Sequence, residues 1–251
     1  MNNRLVWGCS VALALVLSAC GGSDLNSSLS SAGGVRAVNG IADSSGLVLS
    51  FNGGSTGSAS FGAATANFVA ATGSYAATLS SNGDTFSIGN ISIADDQLTV
   101  VFGTGLISGT HGGFAVMASL AAPPSGQFRL ELAHAAYAES QSVRQFNFYL
   151  VAPGAGISGA TPTAVDYGAA STAANLPDGS YEIVVTDASG KVVFDSGSKG
   201  VTLPLPSSNS NAGVVLIGAL DASGGSVDGS PVSLLALQNT GESLALFNGK
   251  N

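Results

Sequence analysis

Phe61-Gly62-Ala63-Ala64-Thr65, followed by Gly73-Ser74-Tyr75, recurs 106 residues later as Tyr167-Gly168-Ala169-Ala170-Ser171, followed by Gly179-Ser180-Tyr181. A chain that repeats itself at this interval builds the same unit twice, so its fold has to divide into two like parts. Further segments extend the match. Val35-Arg36-Ala37-Val38 aligns with Phe128-Arg129-Leu130-Glu131 at a separation of 93, which gives the second copy a longer early loop and makes Arg36 and Arg129 counterparts. Residues 98–103 (LTVVFG) align with 214–219 (VVLIGA), and 114–119 (FAVMAS) with 232–237 (VSLLAL). These matches bound a first repeat at 35–121, a linker at 122–127 that is rich in Ala, Pro and Gly, a second repeat at 128–239 and a tail at 240–251.

The periodicity inside the repeats is that of strands. Phe128, Leu130 and Leu132 alternate with other residues, as do Phe146, Phe148 and Leu150, and Tyr181, Ile183 and Val185. Such alternation buries one face of a sheet and wets the other. Asp187-Ala188-Ser189-Gly190 reads as a hairpin turn in which the glycine supplies a positive φ. No segment after the first twenty residues carries a sustained 3.6-residue stripe. About seven short strands per copy, with turns every eight to twelve residues, predict two tandem immunoglobulin-like β-sandwiches; small β-barrels are the alternative.

The N-terminal residues follow the order of a secretory signal. Arg4 and the amino terminus are the positive end, and residues 5–17 form an apolar run of 13, short of the roughly 18 to 20 that span a membrane. Leu17-Ser18-Ala19-Cys20 then resembles the bacterial lipobox, which implies a signal peptide at 1–19, cleavage before Cys20 and lipid on that cysteine. Residues 20–34 would be a lipidated, flexible Gly/Ser tether. Gly21 after the cysteine resembles Gram-negative lipoproteins sent to the outer membrane. Cys9 is lost with the signal, so Cys20 is the only remaining thiol and no disulfide is expected. Six Lys/Arg then face 15 Asp/Glu, a net charge near −9, which argues against nucleic acid as a partner.

The second copy also resembles a known family. Arg129-Leu130-Glu131-Leu132-Ala133-His134-Ala135, Phe146-Asn147-Phe148-Tyr149-Leu150, Leu176-Pro177-Asp178-Gly179-Ser180-Tyr181 and Ser230-Pro231-Val232-Ser233-Leu234-Leu235 are similar to the bacterial domain-of-unknown-function family 4397. The likeness covers 128–237 well and 35–120 more loosely, and it departs from the family pattern at Tyr137, at Asn147 and at Asn39, which replaces the histidine in the first copy. It implies an exported sandwich domain and no particular chemistry.

The motifs that could carry chemistry lack their settings. Gly53-Gly54-Ser55-Thr56-Gly57 matches GxSxG without a following helix, and Gly154-Ala155-Gly156-Ile157-Ser158-Gly159 matches GxGxxG ahead of Ala160-Thr161-Pro162; both read as loops. Ser196-Gly197-Ser198-Lys199 sits between glycines rather than on a helix. The surface candidates are His134, Arg129, Asp221 and Asp228, the last two in an Asp-rich turn that would be the first choice for calcium, with Asp95-Asp96 second. No catalytic set, metal site or cofactor is expected. The reading is a non-enzymatic binding or structural module held to an envelope membrane by lipid, with an envelope protein or glycan as partner. The rivals are a hydrolase built on His134 and an accessory factor in envelope assembly or secretion.

Overall fold

The computed structural model describes residues 32–141, 144–207, 213–221 and 230–249. The signal, Cys20, most of the tether, and Asp228 therefore lie outside the described residues. The first repeat runs through β1 (Ala32–Ile41), β2 (Val48–Phe51), β3 (Gly54–Ser55), β4 (Phe68–Ala71), β5 (Gly73–Ser81), β6 (Asp84–Ile93), β7 (Gln97–Gly105) and β8 (His111–Ser119). The second begins with β9 (Gln127–His134), the single turn of helix α1 (Tyr137–Ser140), β10 (Gln145–Val151), β11 (Thr163–Asp166) and β12 (Ala174–Pro177). It continues with β13 (Gly179–Asp187), β14 (Val192–Asp195), β15 (Val201–Leu203), β16 (Val214–Asp221), β17 (Val232–Gln238) and β18 (Ser243–Leu246).

Each repeat is a two-sheet sandwich. The first pairs sheet β3-β2-β5-β6 with sheet β4-β1-β7-β8; the second pairs β12-β9-β16-β17-β18 with β11-β10-β13-β14, to which β15 adds on β13. The predicted sandwiches are present, and among the described residues no sheet closes into a barrel. The opening strand of each repeat lies inside its sheet and runs parallel to a late strand, β1 to β7 and β9 to β16. This mixed pairing is invisible to alternation, because those strands are buried on both faces.

The reason for that double burial is the way the sandwiches meet. Leu47, Leu49, Leu79 and Ile91 fill the first sandwich with Val35 and Val101. Phe128, Phe146, Phe148, Phe194 and Ile217 fill the second. A third core holds Val38, Val100, Phe102, Val116, Ala133, Leu216, Leu220, Leu235 and Leu237, drawn from β1, β7 and β8 on one side and β9, β16 and β17 on the other. The two inner sheets thus pack face to face, and the molecule is a stack of four sheets with three cores. Apolar side chains on both faces of β7 and β16 then leave water together, the burial pattern usual for interior strands.

Hydrogen bonds recur at matching places. Gly62 N–H donates to the Asn39 carbonyl (2.8 Å) and Asn39 N–H to that of Ala63 (3.0 Å); Gly168 N–H donates to the His134 carbonyl (2.9 Å) and His134 N–H to that of Ala169 (3.2 Å). Ala37 N–H donates to Thr65 Oγ1, and Leu132 N–H to Ser171 Oγ, both at 3.0 Å. Tyr75 Oη donates to the Ala71 carbonyl, as Tyr181 Oη does to that of Pro177. The register against β7 and β16 puts Gly34 beside Leu98 and Arg129 beside Val214. The opening strands therefore correspond at a separation of 95 rather than 93, so Arg36 matches Glu131, and Arg129 matches Gly34. Shared composition around an arginine had suggested the other alignment; strand pairing is what fixes which residues are equivalent. β8 and β17 shift likewise, Phe114 answering to Leu235 instead of Val232. The segment read as a tail from 240 onward contributes β18, which pairs with β17 and seats Leu246 in the second core.

Candidate functional site

His134, expected at the surface, is fully buried. It closes β9, its ring stacks on Phe146 with centroids 3.8 Å apart, and Tyr167 meets it edge-on at 5.6 Å. Nδ1 accepts the Ala136 N–H at 3.3 Å, which places the ring proton on Nε2. Asn39 occupies the corresponding position in the first repeat and does the same work: its Oδ1 accepts the Ile41 N–H at 3.0 Å, again two residues on. Its amide also donates to Ser44 Oγ and to the Ala59 carbonyl. One residue in each repeat thus shapes the bend after the opening strand, and that shared task needs an acceptor atom and no proton transfer.

Arg129 is half-buried; it donates through Nη1 to the Ala121 carbonyl (2.7 Å) and to Ser119 Oγ (3.2 Å), tying the second repeat to the end of the first. Arg36 is 1% exposed and donates to the carbonyls of Thr65 (2.9 Å), Gln238 (3.4 Å) and Glu242 (3.5 Å), the last two across the seam. Burial lowers its pKa to about 10, against the opposing pull of Glu242, so it stays charged at neutral pH. Glu131, its counterpart, is also buried and reaches across the seam in the opposite sense, accepting the Ser119 N–H at 3.1 Å. Desolvation raises its pKa, opposed by that amide and by Arg129. The same position therefore bridges the repeats twice, once through an arginine that donates and once through a glutamate that accepts.

Asp221 is buried too, and its carboxylate accepts the Ala138 N–H at 2.9 and 3.0 Å. Desolvation pushes its pKa up to about 6, against the backbone N–H groups of Ala138 and Tyr137. Residues 222–229 of the Asp-rich turn lie outside the described residues. Among the described residues, no three His, Cys, Asp or Glu side chains gather as metal ligands would. The other motifs take their loop settings. Gly53 (φ 73°) turns between β2 and β3, Gly154, Gly156 and Gly159 all have positive φ, and Ser196 is buried with its Oγ accepting the Ile183 N–H.

A concave site that sequence reasoning missed lies at one end of the seam. The tip of the β7–β8 hairpin and the second repeat enclose a cleft of about 230 Å³, with Thr104, His111, Gly112 and Phe114 facing Tyr137 and Tyr167. Thr104 Oγ1 and Tyr167 Oη share a hydrogen bond of 2.9 Å. Tyr167 stands at 6.0 Å from Phe114 and 6.3 Å from Tyr137, tilted 66° and 64° to them. His111 Nδ1 donates to the Leu106 carbonyl at 3.2 Å, and the ring packs edge-on against Phe86. One signal for the site was in the sequence: Phe61 of the first motif becomes Tyr167 in the second, and the added hydroxyl is what bonds Thr104.

No protein-family model matches this chain, and no curated protein matches it. Its class rests on architecture: an all-β protein of two sandwiches stacked through their inner sheets.

Proposed function

We propose that this chain is a lipoprotein of the bacterial envelope, anchored through Cys20 in the outer membrane, whose two sandwiches act as a non-enzymatic binding or structural module with an envelope protein or glycan as partner. Two repeats of family 4397, one altered at Asn39, are part of that reading. The observation that carries it is the duplicated role of His134: the residue on which a hydrolase would depend holds a backbone amide just as Asn39 does. A buried general base would also have to reach a substrate proton within hydrogen-bond distance, and this ring is packed between Phe146 and Tyr167 instead. The fused stack supports a presenting role, since a rigid scaffold positions the loops at its ends. Crosslinking in intact cells followed by pull-down tests the reading, with Cys20→Ala as control. The expected outcome is that the native chain sediments with membranes and brings down envelope partners, while the variant is soluble. Retention of the variant in the membrane fraction would refute the lipid anchor.

A further inference from the structure

The cleft at the seam is not a by-product of stacking two like units. Register makes Leu220 the counterpart of Thr104 and Phe61 that of Tyr167. Leu220 is 1% exposed, and its Cδ2 lies 3.3 Å from where a Cβ on Gly40, the β1 partner of Thr104, would stand. In the second repeat this position therefore fills the seam with a side chain. In the first repeat the leucine is a threonine, and the residue paired with it across the hairpin is Gly112, whose added Cβ would meet nothing within 4 Å. Two small residues together leave the cleft open.

What the walls offer is restricted. The Tyr167 ring stands at steep angles to those of Phe114 and Tyr137. The Thr104 and Tyr167 hydroxyls bond to each other, which leaves one hydroxyl hydrogen of the pair for a ligand. None of the lining residues is Lys, Arg, Asp or Glu, so an anion would find no countercharge. A sugar ring would trade several water contacts for few polar partners on these walls. The nearest charged group is negative: the Asp221 carboxylate accepts the Ala138 N–H of the α1 turn that carries Tyr137. Angled aromatic faces near a negative group are the arrangement that holds organic cations, through attraction to the ring quadrupole without a hydrogen bond.

We infer that this cleft is a binding site for a compact alkylammonium group, such as the head of a choline-type compound or lipid. The inference deepens the reading of a non-enzymatic binding module and relies on it only for the expectation that something is bound. The test uses the full chain with Cys20→Ala and titrates it calorimetrically with choline and with its neutral isostere, dimethylbutanol, which has carbon in place of the quaternary nitrogen. Choline should bind about tenfold more tightly than the isostere. Gly112→Leu, whose side chain grows into open space, should remove choline binding with the melting temperature unchanged. Tyr137→Ala should weaken binding as well. Equal affinity for the two probes would overturn the cation in favour of a neutral apolar ligand. Lack of choline binding, or binding untouched by Gly112→Leu, would overturn the site. Co-sedimentation of the same chain with phosphatidylcholine vesicles separates the sources. Sedimentation that free choline competes away marks a lipid head, and binding of free choline alone marks a solute; either supports the cation. None of these outcomes bears on membrane retention through Cys20, so the two readings fail separately.

Discussion

Asp221 shows how one buried carboxylate couples this fold to pH. Its folded-state value is raised to about 6 from an ordinary 3.8, chiefly because burial disfavours the charge. Between those values the folded chain holds a proton that the unfolded chain has released, so stability falls as pH rises through the interval and stays lower above it. Asp221→Asn keeps an oxygen that can accept the Ala138 N–H and abolishes the charge. The variant should be more stable than the native chain by on the order of 2 kcal/mol above pH 7, with the difference vanishing below about pH 4. Denaturant titrations across that range check this, and parallel stability profiles would refute it. Little of this was legible beforehand. An Asp beside a Gly- and Ser-rich stretch reads as solvated, because the amides it serves belong to Tyr137 and Ala138, more than 80 positions away. His134 reads from sequence as a strand-end histidine satisfied by backbone, and so it is; its depth was missed, because nothing local announces that Phe146 and Tyr167 close over it. The departure at Asn39, visible in the sequence, was the clue to a structural role, since an asparagine can replace a histidine as an acceptor and cannot replace it as a general base.

At the scale of elements, the legible strands were those whose apolar residues alternate along the chain. β10 does so with one face half-open, and β13 does so although Glu182, Val184 and Thr186 on its other face are buried as well. Both were placed correctly, as was the turn at Asp187, whose carboxylate accepts the N–H groups of Ser189 and Lys191 beneath Gly190 at φ 86°. β7 and β16 appeared as unbroken apolar runs, a pattern that signals cover on both sides; the runs were matched to each other without that consequence being drawn. β18 escaped because three of its four residues are exposed, leaving Leu246 alone to mark it. Its position is nonetheless structural. β18 extends the inner sheet, while just beyond it Asn248 Oδ1 accepts the Asp195 N–H (2.8 Å) and Gly249 N–H donates to the Asp195 carbonyl (2.7 Å) on β14 of the outer sheet. The C-terminal segment thus clips the two sheets of the second sandwich together. Leu246→Ala should cost about 2–4 kcal/mol by opening a cavity under this clip. Hydrogen exchange should quicken at Asp195 and along β17 before the first repeat responds. Unchanged stability would show the segment to be a loose tail.

For the whole molecule the decisive question is whether the sandwiches melt as one body. Phe102 and Gly218 are counterparts in the two repeats and meet each other at the centre of the seam. A Cβ on Gly218 would lie 2.7 Å from the Phe102 ring, which itself stacks on Phe114 at 5.3 Å. Contact between equivalent positions is what a two-fold, isologous interface has at its axis, and here one ring serves both halves because the other half gives up its side chain. Gly218→Phe should therefore overfill the seam, and Phe102→Gly should empty it at a cost of about 3–5 kcal/mol. Either change leaves the separate cores around Leu79 and Phe148 untouched, so calorimetry should show one transition for the native chain and two for either variant. Making both changes at once moves the ring from one sheet to its counterpart in the other. The pair should then recover at least about 1 kcal/mol relative to the sum of the single losses and restore a single transition. Additive losses, or single variants that still melt in one step, would mean that cohesion between the repeats does not run through this contact.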